Sequence, residues 1–214
     1  MTLYANGKKV APTNVAYEAP IEIPREIDSN GKMQKMSRSY TFTLPVEAKD
    51  LGSYILSEMF SNDTYITSAN LSSLENISGN DAMYRTFAGC TSLTSVDLSN
   101  VQKISYNGLR GLSGTFYGCT SLVSIDLSSL SYVGYMAMQG AFSYTSLTSL
   151  SFPSLTYVSF SDGESAFSGM LTGVSNCTIH FPVNLQSTVG TWSETQNGFG
   201  GTSITVLFDL PATT

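Results

Sequence analysis

One stretch of the sequence recurs along the chain, and this repetition limits what the chain can fold into. Residues 87–99 read FAGCTSLTSVDLS, and residues 116–128 read FYGCTSLVSIDLS. A less exact copy, FSYTSLTSLSFP, occupies residues 142–153. Self-similarity at a regular spacing is typical of chains that fold as a stack of similar coils, each packing on the next.

A phenylalanine begins each copy, and apolar residues follow it at fixed offsets. The anchors are Phe60, Phe87, Phe116, Phe142 and Phe167, which lie 27, 29, 26 and 25 residues apart. One copy cannot bury its apolar groups alone, whereas stacked copies bring each column into contact with itself. Three such columns are Ala69, Val96, Ile125, Leu150, Ile179; Leu71, Leu98, Leu127, Phe152, Phe181; and Ile77, Ile104, Val133, Val158.

Each copy contains two segments in which apolar and polar residues alternate. Val96-Asp97-Leu98 represents the first segment, and Tyr132-Val133-Gly134-Tyr135 represents the second. Alternation with a period of two predicts short strands that bury one face. In the second segment we expect Tyr106 and Tyr135 to point inward, and the residue before each buried aliphatic to point outward.

The pattern Phe-x-x-Cys-x-x-Leu-x-x-Val-x-Leu from Phe87, repeated from Phe116 with Ile125 in place of valine, resembles the BspA-like class of bacterial leucine-rich repeats. The resemblance covers residues 61–185. It implies a mostly β fold with a minor helical part: a leucine-rich-repeat solenoid of about five coils with terminal caps. Members resemble surface-exposed adhesion and recognition proteins, and similar repeats occur in phage virion proteins.

The segments outside the repeat predict the caps. Asn6-Gly7 and Asn30-Gly31 are hairpin-turn dipeptides, and the second turn would join residues 21–27 to an alternating segment at residues 40–44. Apolar residues at 51, 55, 56, 59 and 60 fall on one helical face. We expect a β-hairpin attachment or capping unit at residues 1–45, a capping helix at 46–60, the solenoid at 61–185 and a C-terminal cap at 186–214.

Composition excludes some classes of partner. Charged residues make up 12% of the chain and the net charge is −6, which disfavours nucleic acid. No stretch approaches the roughly 18 apolar residues of a membrane span, so no membrane insertion is expected. The N-terminus lacks the apolar run of a signal peptide. Together with the missing export signal, the resemblance implies a virion protein, or one at a cell surface or in the extracellular space.

The cysteines and the single histidine form no enzyme motif. Cys90 and Cys119 share one repeat position, so they are either a disulfide between neighbouring coils or two buried thiols, and both alternatives stay open. Cys177 and His180 lie three residues apart on a predicted strand and point to opposite faces, which disfavours a nucleophile pair. We expect no cofactor and no bound metal.

Asp97 and Asp126 share an outward column on adjacent coils. Three interpretations apply to them: a carboxylate pair of a retaining glycosidase, oxygen ligands for a divalent cation, or two solvated aspartates. The aspartates and the serines around them also form a candidate ligand-binding face.

Tyr132 and Tyr157, with Lys103 before them, form a second outward column. Tyrosine supplies apolar area and a hydroxyl at low entropic cost, which suits a recognition surface. The alternative is a cross-strand aromatic pair that stabilises the sheet.

These observations predict a non-enzymatic recognition or adhesion module that binds a cell-surface glycan or protein. The candidate ligand-binding residues are Tyr132, Tyr157, Lys103, Asp97 and Asp126. Residues 1–45 are a candidate attachment to a virion partner, and a homo-oligomer is a further possibility. The alternatives are a structural or decoration protein and, less favoured, a β-solenoid enzyme acting on polysaccharide.

Overall fold

The protein folds as a solenoid of mostly β structure with about six turns. The computed structural model describes residues 4–5, 8–9, 25–27, 29, 33–35, 39–105, 108–161, 164–190 and 198–213. Each turn of the solenoid contributes short strands that pair in parallel with those of its neighbours. This arrangement confirms the fold class expected from the repeat.

The longer strands stack along one side of the solenoid, which we call the strand side. Its strands are β5 (Tyr40–Thr43), β7 (Ile66–Asn70), β9 (Ser95–Asp97), β12 (Ser149–Ser151), β16 (Thr178–Pro182) and β17 (Thr205–Leu210). They form two three-stranded sheets, in the orders β5-β7-β9 and β12-β16-β17. Residues 124–126 lie between the two sheets in the sequence and have no strand of their own.

Two-residue strands form a second side. They are β6 (Asp50–Leu51), β8 (Asn76–Ile77), β10 (Lys103–Ile104), β11 (Tyr132–Val133) and β13 (Tyr157–Val158). All pair in parallel, with the second residue of each strand buried and the first at least partly exposed. The alternation predicted from the sequence therefore sets the register of this sheet.

The third side, which we call the turn side, consists of successive turns at residues 54–62, 81–89, 110–118, 136–144 and 169–173. Every fourth residue there has a positive φ, as at Tyr54, Glu58 and Asn62. Alternate amides donate to the next coil, as Leu56 N–H does to the Ala82 carbonyl at 2.9 Å. The intervening amides close turns within the coil, so the backbone polar groups of this side are largely paired.

Phenylalanines form the centre of the core. Phe60, Phe87, Phe116 and Phe142 are at most 2% exposed, and their rings stack along the solenoid axis. The centroids are 5.3, 5.8 and 5.6 Å apart and the rings are within 5° of parallel. Offset stacking of this kind adds to the free energy of burial.

The predicted anchor at Phe167 is wrong in register. The Phe142 amide donates to the Met170 carbonyl. In the series of hydrogen bonds between neighbouring coils on the turn side, Leu171 is therefore level with Phe142. Phe167 lies level with Met138, because the Met138 amide donates to the Ala166 carbonyl. A short antiparallel hairpin, β14 (Phe160–Ser161) with β15 (Glu164–Ser165), lengthens this coil and displaces the match.

The capping helix predicted at residues 46–60 is absent. This segment contains β6 and the first stretch of the turn side, and its amides bond to the next coil. Buried residues spaced by four, Leu56 and Phe60, fit a helical face as well as they fit this repeating turn. The solenoid also begins earlier than residue 61, because β5 pairs in parallel with β7 and Phe42 is buried in the core.

Two antiparallel hairpins precede the solenoid. β1 (Tyr4–Ala5) pairs with β2 (Lys8–Lys9), and β3 (Arg25–Ile27) pairs with β4 (Met33–Lys35). The predicted turn dipeptides Asn6-Gly7 and Asn30-Gly31 lie outside the described residues. The second hairpin uses residues 33–35 as its returning strand, not residues 40–44, which belong to the first coil.

The C-terminal part continues the solenoid. After β16, a 3₁₀ turn (Val183–Leu185) and a π-helical turn (Gln186–Gly190) lead towards β17, which pairs in parallel with β16. Phe152, Phe181 and Phe208 stack beneath these strands at 5.2 and 5.8 Å. Trp192, in the predicted cap, lies outside the described residues.

Candidate functional site

The sequence-predicted tyrosines meet in one outward column. β10, β11 and β13 pair in register, so that Lys103, Tyr132 and Tyr157 lie side by side. The Tyr132 and Tyr157 rings stack with centroids 4.6 Å apart and an interplanar angle of 10°. We call this stacked pair the tyrosine ladder. Tyr157 is 48% exposed, and Tyr132 and Lys103 are partly exposed.

Burial of the next residue in each strand fixes the orientation of the ladder. Ile104, Val133 and Val158 are at most 6% exposed and face the core. Because consecutive strand residues point to opposite faces, the residue before each of them is directed outward. Tyr135, expected to pack inward, is only partly buried, and Tyr106 lies outside the described residues.

Asp97 and Asp126 shape the backbone where the strand-side segment ends. An oxygen of Asp97 (Oδ1) accepts the Ser99 amide at 3.1 Å and the Ser99 hydroxyl at 2.6 Å. Asp126 accepts the Ser128 amide at 2.9 Å in the same way. An acidic side chain that bonds the amide two residues on forms an Asx turn. This local role explains the recurrence of Asp-Leu-Ser.

The turn contact that the two aspartates make can also be made by an asparagine. Asn70, which pairs with Asp97 in register, makes the same contact with Ser72, so the turn does not need a carboxylate. Within the described part of the chain, no three of histidine, cysteine, aspartate and glutamate come together as a metal-binding group.

Cys90 and Cys119 are free thiols, as is Cys177, and all three are buried. The Cys90 thiol donates to the Phe60 carbonyl and the Cys119 thiol to the Phe87 carbonyl, both at 3.0 Å. Burial raises the pKa of the Cys90 thiol to about 12 and raises the pKa of the Cys119 thiol still further. Thiols held protonated in this way are poor nucleophiles.

One pair was missed by the sequence analysis. His180 Nδ1 lies 2.9 Å from Asp209 Oδ2 on neighbouring strands β16 and β17. The two residues are 29 apart in the sequence, and only the register of β17 brings them together. Their side chains are 27% and 48% exposed, so the pair lies at the surface and joins the last two strands.

Coils whose short strands pair in parallel, with aliphatic columns inside and variable columns outside, define a leucine-rich-repeat solenoid, a class of protein that presents its outward columns to partners. The family model of the BspA type leucine rich repeat region matches residues 21–111 and 41–172, with six copies. The chain belongs to this family. Searches of curated proteins and of solved structures each give no match.

Family membership sets the general class of activity and location. Proteins of this type are typically non-enzymatic binding or adhesion modules, found at surfaces or outside the cell. Among the residues that the structure describes, no helix has both the length and the apolar character needed to cross a bilayer.

Proposed function

We propose that the chain is a non-enzymatic recognition module that binds a cell-surface glycan or protein through the tyrosine ladder. The observation that carries the proposal is the stacked Tyr132–Tyr157 pair, held in an outward column and half-exposed at Tyr157. Among the strands that the structure describes, β13 is the last of its sheet, so no further described strand of that sheet covers the outer face of the Tyr157 ring.

The chemistry of this column suits a sugar ring or an apolar side chain with polar neighbours. The aromatic faces supply dispersion and CH–π contact, and Lys103 supplies a cation in the same column. Its neighbour Asn76, in β8, adds an amide. The competing explanation is that the pair only stabilises the sheet, a contribution of about 1 kcal/mol.

Binding of the labelled protein to intact bacterial cells and to extracted wall glycans tests the proposal. The Tyr132→Ala/Tyr157→Ala variant should lose saturable binding, and Tyr157→Phe should retain the part that depends on ring stacking. Tyr54→Ala is the matched control, because Tyr54 is 62% exposed on the turn side. A double variant that binds like the wild type, with a lower unfolding free energy, would show that the ladder is only structural.

The strand-side face of Asp97 and Asp126 is the alternative surface. Each aspartate commits one oxygen to its turn, and both are exposed. Asp97→Asn keeps the turn and removes the charge, as Asn70 does naturally. Loss of cell binding in this variant, with the tyrosine ladder intact, would move the binding site to the strand side.

Placement on a virion, with residues 1–45 as the attachment unit, stays a prediction from the resemblance. A structural role without a ligand predicts discrete homo-oligomers and no cell binding. Light scattering at micromolar concentration, beside the binding assay, separates this alternative from recognition by a monomer.

A further inference from the structure

The turn side contains a groove with a backbone floor. Gly114, Gly140 and Gly169 occupy the same position in three successive coils of the turn side, as the hydrogen bonds between the coils show. In the two earlier coils this position holds Glu58 and Arg85. The φ angles of the three glycines are 60°, 61° and 60°. Because these positions have no side chain, the surface dips into a groove of about 480 Å³. This volume is within the range of small-ligand sites.

Two arginines line the groove beside Tyr84. The Arg85 side chain lies over Gly114, where a Cβ would stand 3.2 Å from its Cγ. The guanidinium carbons of Arg85 and Arg110 are 5.4 and 5.9 Å from the Tyr84 ring centroid. Arg110 also pairs with Asp81 at 3.1 Å. Arg85 has no carboxylate partner among the residues described, so this cluster keeps a net positive charge.

This positive cluster contrasts with the rest of the solenoid. Residues 51–214 hold ten acidic residues and only three basic ones, Arg85, Lys103 and Arg110. Two of these three line the groove, and no aspartate or glutamate does. Placing scarce cations together against a negative background focuses the potential on an anion in the groove.

An aromatic pair stands on the other flank of the groove. Tyr117 and Tyr144 make an edge-to-face contact with centroids 5.2 Å apart, and they are 45% and 48% exposed. Tyr144 occupies the space left by Gly173, where a Cβ would stand 2.4 Å from the ring. The rings therefore have a fixed position from which they can contact a sugar ring.

Three hydroxyl groups on the floor of the groove donate hydrogen bonds to backbone carbonyls. Ser113 donates to the Gln139 carbonyl at 3.1 Å, and Ser143 donates to the Gly169 carbonyl at 3.1 Å. Thr172 also donates to the Gly169 carbonyl, at 2.9 Å. Ser113 and Ser143 are buried, whereas Thr172 is exposed and the lone pairs of its hydroxyl oxygen remain available as acceptors. At Thr172 the floor thus accepts a hydrogen bond from a ligand hydroxyl, while the arginines donate to an acidic group.

The backbone of the floor disfavours an extended peptide. The amides of Gly114, Gly140 and Gly169 donate to the next coil at 2.9, 3.1 and 2.7 Å. A peptide that adds as a strand needs donors and acceptors on an unpaired edge, and these amides are not available. A saccharide needs only surface acceptors, aromatic contact and a cation for its acidic group.

We infer that this groove is a second binding site, which takes an acidic saccharide with its carboxylate on Arg85 and Arg110. The sugar rings lie along the glycine row beside Tyr117. The row spans roughly 10 Å at about 4.8 Å per coil, which is comparable to a disaccharide. The site lies on a different face from the tyrosine ladder, and it does not depend on ligand binding there.

Calorimetry with a trimer of galacturonic acid tests the inference, with neutral maltotriose as the ligand control. The acidic trimer should bind saturably and the neutral trimer should not. Arg85→Gln should weaken binding at least tenfold. Lys49→Gln removes the same charge at an exposed residue outside the groove and should change the affinity less than twofold. Circular dichroism and thermal melting establish that both variants fold.

A measurement on the unchanged protein avoids dependence on the variants. In amide NMR spectra, the acidic trimer should shift the resonances of Gly114 and Gly140 and leave those of Tyr132 and Tyr157 in place. Absence of binding at millimolar trimer overturns the inference, as does equal weakening by Lys49→Gln. Tighter binding of a hexaglutamate peptide than of the trimer would also overturn it and assign the groove to acidic peptides.

Discussion

The first four coils and the fifth coil fill the same interior in opposite ways. In coils one to four a leucine lies on the strand side and a phenylalanine lies on the turn side. The pairs are Leu44 with Phe60, Leu71 with Phe87, Leu98 with Phe116 and Leu127 with Phe142. In coil five the order reverses, because Phe152 takes the strand-side column and Leu171 the turn-side column.

Ring geometry changes in part with this reversal, since Phe152 still stacks on Phe181 at 12°. Phe87, Phe116 and their neighbours stack within 5° of parallel. In coil five Phe167 joins the core level with Met138, and it packs at 44° to Phe152 and at 54° to Phe181. The comparison indicates that each coil must supply a given apolar volume, and that the column supplying it can change. Cores are constrained by total volume in this manner.

Truncation of one ring in each region should cost nearly the same. Phe116→Ala and Phe152→Ala each remove a fully buried ring, and we expect each to lower the unfolding free energy by about 4 kcal/mol. Urea denaturation measures both. Val123→Ala, at a residue 55% exposed, is the control and should change the unfolding free energy by less than about 0.5 kcal/mol.

A difference between the two regions would alter the interpretation. Phe116 has a nearly parallel ring on each side, whereas Phe152 stacks on Phe181 at 12° and meets Phe167 at 44°. If Phe116→Ala cost over about 1.5 kcal/mol more than Phe152→Ala, the second parallel contact would contribute beyond burial, since aromatic pairs add about that much. The straight stack would then be a stabilising feature of its own.

Exchange of the two columns within coil four tests the volume argument directly. Phe142→Leu should cost about 1–2 kcal/mol through the space it leaves, and Leu127→Phe about 1–3 kcal/mol through overpacking. The double variant reproduces the order of coil five. It should recover at least about 1 kcal/mol relative to the sum of the single variants. If the effects of the two single variants were simply additive in a double-mutant cycle, the idea that one column can supply the volume lost from the other would be wrong.

Much of this interior could be predicted from the sequence, because every coil buries the same face and the apolar columns repeat. The register of coil five could not be predicted, since Phe167 and Leu171 both lie in buried turn-side columns. The predicted helix at residues 46–60 was wrong for a related reason. Leu56 and Phe60 are four residues apart, a spacing shared by a helical face and by the turn side.

Less of the outward surface than of the core could be predicted from the sequence. Tyr132 and Tyr157 were predicted as neighbours because the strand register follows from the buried valines. The turn-side groove was not predicted, since its floor depends on which glycines lie in one column of the ladder. The pairing of His180 with Asp209 depends on β17 adding in parallel, and the sequence shows only that β17 alternates.

The cysteines of coils two and three should make stability depend on pH. Burial raises the pKa of Cys90 from 9.0 to about 12, so the unfolded state releases its thiol proton at a lower pH than the folded state. The contribution is fully present below pH 9 and declines as the pH rises towards 12. One such thiol lowers the unfolding free energy by about 1.4 kcal/mol per pH unit in this window.

Urea denaturation at several pH values between 8 and 10.5, with reductant, measures this slope. Cys90→Ser should reduce the slope by the share of one thiol, because a serine hydroxyl can donate to the Phe60 carbonyl and does not titrate, while Cys119 keeps its own share. Coil four uses a hydroxyl at this position, where Thr145 donates to the Phe142 carbonyl of its own coil. An unchanged slope in Cys90→Ser would assign the pH dependence to other groups. Cys119, whose pKa burial also raises, is the first of these.

The smallest effect concerns the Asx turns of coils two to four, at Asn70, Asp97 and Asp126. Asp97→Ala should lower the unfolding free energy by about 1 kcal/mol, since the Ser99 amide loses its acceptor. Asp97→Asn should cost almost nothing, because Asn70 forms the same turn one coil earlier at 3.0 Å. Thermal melting of both variants against the wild type separates turn formation from charge. A larger loss in Asp97→Asn than in Asp97→Ala would show that the carboxylate stabilises the fold through a contact beyond this turn.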